Sequence, residues 1–276
     1  MEVPQDVLNI VAKHTLKYKM KLLDWIPVVM LDIRELSSNP NALDMLKEHS
    51  EYVSVRHLAC SNPNPEAIEL LKNITDITTN KEILYFLSLN PNAIHILEQN
   101  RALINWYDLS SNPSPQAIKL LKENPHRINW AQISANPYGM ELLESNPDNI
   151  EWELLSLNPS AQAIKLLEAN QDKIDWSNLS RNINGIALLQ ANMDKIEWGF
   201  LSSNPNAIDL LEKNYEKIEW EWLSLNPNAI HLLKTNRKNI NFSWLSKNPS
   251  IFEKNINQYN MDLLFFTNIL DKQMNH

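Results

Sequence analysis

Apolar positions along this chain fall in short, evenly recurring clusters, never in one long run. In Asn204-Pro205-Asn206-Ala207-Ile208-Asp209-Leu210-Leu211-Glu212, the residues Ala207, Ile208 and Leu211 follow i, i+1, i+4 spacing and Leu210 widens the stripe. That pattern predicts a helix with one buried face, helix A. A second cluster follows about a dozen residues earlier or later in every unit. In Ile174-Asp175-Trp176-Ser177-Asn178-Leu179-Ser180, Asp175 is placed to cap while Trp176 and Leu179, three apart, point to one side, which predicts a shorter helix B of one α or 3₁₀ turn. Neither helix approaches the ~12 to 15 residues needed for stability alone, so each has to be held by neighbours.

The clusters are set in register by Asn-Pro at 39–40, 62–63, 90–91, 112–113, 136–137, 158–159, 204–205, 226–227 and 248–249, with Asn182-Ile183 in the one gap. The residue before proline is driven to extended angles, as an N-cap requires, and proline at the first helical position has no amide proton to leave unpaired, so helix A is expected to begin there. A closing Asn at 100, 124, 146, 170, 192, 214 and 236 suits a left-handed position that stops a helix when glycine is scarce. The tryptophan position recurs as Trp106, Trp130, Trp152, Trp176, Trp198 and Trp220, then Phe242, and its spacing from Leu or Ile predicts a buried row. Three units, starting at 62, 112 and 158, carry two extra residues after the first cap, where helix A restarts.

The expected fold is therefore all-α, a superhelical solenoid of about ten units of roughly 22 residues, each an α-helix plus a short α or 3₁₀ helix. Residues 31–249 form the repeats, with capping segments at 1–30 (Val7, Leu8, Val11, Leu16, Leu22, Leu23) and 250–276 covering the ends of an elongated stack. The segment Ile74 to Phe86 lacks both the closing Asn and the Trp and is read as a kink or longer loop.

Charge narrows the partners. Thirty-three acidic against 25 basic residues give a net charge of −8, which repels nucleic acid and anionic membrane on average and favours a protein partner. The basic row Arg127, Lys173, Lys195 and Lys217 lies two residues from acidic or Asn caps, so it makes a poor phosphate track. No apolar run is long enough to span a bilayer, and the stretch MEVPQDVLNIVAKH lacks the layout of a secretory signal, which predicts an intracellular protein. Three glycines, Gly139, Gly185 and Gly199, cannot build a phosphate-cradling loop, and a single cysteine excludes an internal disulfide.

Chemistry is sparse. His57 and Cys60, three apart with His49 nearby, form the one candidate for a metal or Cys-His site, and no fourth ligand stands at comparable spacing. The other histidines are His14, His95, His126, His231 and His276; His95 and His231 share a variable solvent position with Asp44, Glu69, Lys119, Glu141, Lys165, Ala187 and Asp209. The carboxylates Glu151, Asp175, Glu197 and Glu219 fall where they cap helix B. The expectation is no enzyme activity, no catalytic or metal-binding residue and no cofactor.

The unit N-P-x-A-I-x-L-L-E-x-N-x-x-K-I-x-W-x-x-L-S resembles the Asn-Pro/Trp repeat proteins encoded in several copies by giant DNA viruses of the mimivirus and megavirus type, over residues 31 to 249. The unit is also similar to the leucine-rich variant repeat in length and helix pairing. The viral resemblance implies a protein of the infected cell, in host cytoplasm, viral factory or virion. The reading that follows is a scaffold binding viral or host proteins through an extended solenoid surface, alone or within a larger viral assembly. The alternative is a modular RNA-binding repeat protein, disfavoured by the acidic charge. For the contact surface, the first position after each tryptophan reads Tyr107, Ala131, Glu153, Ser177, Gly199, Glu221 and Ser243, a solvated flank. The second reads Asp108, Gln132, Leu154, Asn178, Phe200, Trp222 and Trp244, turning aromatic over three consecutive units. Phe200, Trp222 and Trp244, with Leu154, are the candidate binding residues, the aromatics ~10 Å apart on adjacent helices.

Overall fold

The computed structural model describes residues 16–77 and 80–274, with residues 4, 7, 10, 11 and 13; Leu8, His14 and His276 lie outside them. Helices dominate the described residues, which divide into two compact units, 29–250 and 1–28 with 251–276. In the smaller unit β1 (Met20–Leu22) pairs antiparallel with β2 (Phe252–Lys254), Lys21 opposite Glu253 at 3.0 Å. Tyr18 stacks on Tyr259 at 4.0 Å, on the helix Ile256–Met274. This sheet is unforeseen from the pattern because it lies outside the motif.

The larger unit repeats one arrangement. Helix B occurs ten times, from Ile33–Leu36 to Phe242–Lys247, and is α-helical; a separate 3₁₀ turn such as Gln171–Lys173 precedes most of its copies. Helix A does not start at Asn-Pro in the unmodified units. There Asn90-Pro91 opens a 3₁₀ turn and the α-helix begins at Ile94; Asn204-Pro205 and Ile208 repeat the arrangement. Where two residues are inserted, helix A is longest: Glu66–Ile74, Pro115–Glu123 and Ala161–Glu168, with Ser114 and Ser160 accepting from the amides of Ala117 and Ala163. The core between the two helices is a double row of leucines, such as Leu121 and Leu167 from A with Leu109 and Leu179 from B, all fully buried.

The closing asparagines are not left-handed. Asn100, Asn124 and Asn214 have φ of −130°, −134° and −129°, and no described residue has positive φ. Each instead folds its side chain back, Asn124 Nδ2 donating to Leu120 O at 2.9 Å and Asn214 Nδ2 to Leu210 O at 2.8 Å. An orphan helix carbonyl is thereby satisfied without the cost that a Cβ meets in left-handed space.

Two polar ladders join one repeat to the next. The motif asparagine is buried, accepts the amide two residues on, and donates both amide hydrogens to carbonyls of the preceding repeat, Asn158 to Ser134 O (2.9 Å) and Asn136 O (2.8 Å). Asn62, Asn136, Asn182, Asn204, Asn226 and Asn248 do the same. In the second ladder a buried serine of helix B, such as Ser134, donates to Trp130 O and accepts the amide of Glu151, which opens the next helix B. Ala59 takes the place of that serine in one repeat, followed by the irregular segment after Ile74.

The ladder returns on itself. Asn39 of the first repeat donates to Ser246 O (2.9 Å) and Asn248 O (2.8 Å) of the last, Asp32 N to Ser246 Oγ (2.9 Å), and Asn41 Nδ2 to Pro249 O (2.9 Å). The contacts that join consecutive repeats therefore also join the first to the last, and this unit has no free ends, unlike the open stack expected from sequence. Helices B pack on their B neighbours at most junctions, while of the neighbouring A helices only Leu43–Glu48 and Glu66–Ile74 pack on each other to any extent, and less closely than the B pairs. Helix B accordingly occupies the shorter circumference of the closed circuit, and helix A the longer.

Candidate interaction surface

The tryptophans are half-buried, not core. Leu179 and its equivalents fill the centre, and Trp152, Trp176 and Trp198 lie at its margin. Cations of the following repeat cover two of them: Lys173 Nζ lies 4.2 Å from the Trp152 ring centroid and Lys217 Nζ 4.6 Å from that of Trp198. Half of the supposed basic row is thus spent on indole faces, an attraction of ring quadrupole and charge.

On the side of helix B turned from helix A, the second position after the tryptophan is half-exposed in every repeat, and the first is exposed in most. Phe200, Trp222 and Trp244 form a continuous ridge there. Phe200 meets Trp222 edge-on with centroids 5.1 Å apart, and Trp222 meets Trp244 at 4.7 Å. The separation is about half that expected from helix spacing because the rings lean toward one another. At Gly199 a Cβ would lie 3.4 Å from Trp222 Cδ1 and 3.6 Å from Glu197 Oε1, ordinary contact distances, so both the indole and the Glu197 carboxylate come close to this residue. Leu154 is also half-exposed, but Asn178, which donates to Glu153 O at 3.0 Å, stands between its repeat and that of Phe200. Leu154 does not join the ridge.

Arg181 does. Its guanidinium carbon is 3.7 Å from the Phe200 centroid and 5.4 Å from that of Trp222. Sequence reading missed it because it lies five residues past Trp176, in the preceding repeat. The signal is a register rule: this fifth position meets the second position of the next unit, as Ser111 Oγ meets Gln132 Oε1 and Lys247 Nζ meets Glu35 Oε2 at 3.0 Å. Further round, Arg56 lies 5.1 Å from the Phe86 centroid, and Asn105 Nδ2 donates to Asp108 at 2.5 Å. Burial pushes the Asp108 carboxyl above the ordinary carboxylate value, against the opposing pulls of the Asn105 amide and the Arg56 charge.

Of the carboxylates expected to cap helix B, only Asp175 does, accepting from Asn178 N at 2.7 Å. Glu151, Glu197 and Glu219 make no cap bond; their extra methylene carries the carboxylate past the amide. Glu219 and Glu221 line a cleft of about 450 Å³ with Trp220, Lys238 and Asn241. Elsewhere His57 Nδ1 is 2.7 Å from Ser54 Oγ, and Cys60 Sγ is 3.1 Å from Ser61 Oγ. Among the described residues no group of three or more His, Cys, Asp or Glu is placed to hold a metal ion, and no helix is long and apolar enough to cross a membrane. Comparison with protein-family models, curated proteins and solved structures yields no match.

Proposed function

We propose that this protein is a non-enzymatic interaction scaffold, a solenoid of ten units closed on itself, that binds a protein partner through residues varied on a constant frame. The observation that carries this reading is the Phe200–Trp222–Trp244 ridge, three half-exposed aromatic side chains held in mutual contact on the face of helix B that the fold itself does not use. Half-exposed aromatics in contact are the usual anchors of protein interfaces. The ladders consume the constant residues, so the positions left to vary are those a partner meets. Motif resemblance supports an origin in giant-virus infection, where the protein acts on its own or as a subunit of a larger assembly.

The test is a pull-down from infected cells with wild type and with Phe200, Trp222 and Trp244 all changed to Ser, with and without nuclease. A stoichiometric protein partner retained by wild type after nuclease and lost by the variant is expected. Partners lost on nuclease treatment would replace this reading with the RNA-binding one. A variant that loses stability but keeps its partner would move the binding surface elsewhere.

A further inference from the structure

The scaffold reading leaves open what chemistry the ridge selects, and the ridge already holds a sample of it. Arg181 lies on Phe200 at 3.7 Å and reaches Trp222 at 5.4 Å, so these rings are presented at an angle a guanidinium fits. Lys173 on Trp152, Lys217 on Trp198 and Arg56 on Phe86 repeat the pairing of cation and ring around the unit. Trp244, at the far end of the ridge, has no cation over it among the described residues. Three carboxylates lie close to the ridge in the chain or in space: Glu197, whose Oε1 is 3.6 Å from the Cβ position of Gly199, itself 3.4 Å from Trp222 Cδ1, Glu221, next to Trp222 in sequence, and Glu219, which shares a cleft with Glu221. All three are exposed; Glu197 and Glu219 cap no helix, and none of the three is in an ion pair among the described residues. Of the basic groups nearby, Arg181 lies on the rings, Lys217 on Trp198 and Lys247 pairs with Glu35, while Lys238 lines the same cleft as Glu219 and Glu221.

Resting on the scaffold reading, we infer that the ridge binds an arginine-bearing extended peptide segment of the partner, its guanidinium on Trp244 and Trp222 and its neighbouring charges met by Glu197, Glu219 and Glu221. A cation on an aromatic face is held more tightly as it is desolvated, and exposed carboxylates add a salt-dependent attraction. An extended segment suits this position because the ridge lies along the shorter circumference, where a folded surface has poor access. Arg181 is then an internal occupant of the same kind of site. Removing it should strengthen binding by freeing the Phe200 face.

The probe is a short peptide alternating glycine and arginine, compared with its lysine and citrulline counterparts, with an acidic peptide and with polyuridine RNA, by calorimetry on the full chain. Wild type should bind the arginine peptide, lysine more weakly, and citrulline about tenfold more weakly or not at all. The triple change Glu197→Gln, Glu219→Gln, Glu221→Gln touches only exposed groups and should weaken arginine binding about tenfold while preserving the fold. Arg181→Ala should tighten it. Equal binding of citrulline, binding unchanged in the triple Gln variant, weaker binding in Arg181→Ala, or preference for the RNA would each overturn the inference. A partner captured through the ridge but presenting an acidic or uncharged segment would overturn it while leaving the scaffold reading intact.

Discussion

Asp108 shows how one variable position carries a cost. Its carboxyl is raised above the ordinary value of 3.8, chiefly because burial disfavours the charged form. When the folded value of an acid is raised, the native state binds more protons than the unfolded one between the two values, so stability declines as pH climbs through that window and stays lower above it. Asp108→Asn should therefore raise the urea midpoint at neutral pH, and the gain should vanish below the ordinary carboxylate range, where both states are protonated. A gain of equal size at both pH values would mean that the Asn105 amide, not ionisation, governs the site. The group is largely solvated, so the effect is small. Asn112 is the other residue out of pattern: the amide of Ser114 turns to its backbone oxygen at 2.8 Å, leaving its buried Oδ1 without a hydrogen-bond partner. It is a weak rung in the ladder, although Asn62 and Asn158, in the other two units with inserted residues, keep the bond.

The elements were partly legible before their geometry was known. Asn-Pro announces a cap, and the side chains of Asn90 and Asn204 do accept the amide two residues on. What the same asparagine does with its two amide hydrogens was not legible, because a cap that also bridges repeats has the same sequence as one that only caps. The closing asparagine misled for a related reason, since left-handed backbone and a side chain folded back on the helix are alternative ways to end one, and residue type does not choose between them. Spacing placed Trp176 and Leu179 on one side of helix B, but only the leucine reaches the centre. The serine row was written in nine of the ten repeats and unread, one of its two bonds depending on the next unit's amide. Ser134 is fully buried and holds both Trp130 O and the Glu151 amide. Ser134→Ala should lower stability by about 1 to 3 kcal/mol, the cost of orphaning a buried partner. Ser145→Ala removes a bond to Glu141 O from an exposed side chain and should stay within about 0.5 kcal/mol. Equal effects in chemical denaturation would show that the bridge between repeats carries no energy.

Closure of the repeat unit was the feature least visible in sequence, since curvature arises from a small, repeated difference between the spacing of B helices and that of A helices. In an open stack the first repeat is the cheapest place to lose a contact, because only one neighbour depends on it and ends fray. Asn39 would then have nothing to bond. Instead it makes the two bonds that Asn182 makes in mid-chain, to Ser246 O and Asn248 O against Ser156 O and Asn158 O, and both asparagines are buried. Removing either strands two buried carbonyls, at about 1 to 3 kcal/mol for each. Asn39→Ala and Asn182→Ala should thus destabilise alike, within about 1 kcal/mol, in urea titrations read by tryptophan fluorescence. A zero-length carbodiimide should also couple Lys247 to Glu35, 3.0 Å apart, within one chain, giving a linked peptide pair in the monomer band after digestion. If Asn39→Ala instead costs less than about 0.5 kcal/mol, as a surface change would, and no intramolecular Lys247–Glu35 link forms, the first and last repeats are apart in solution and the circuit is open.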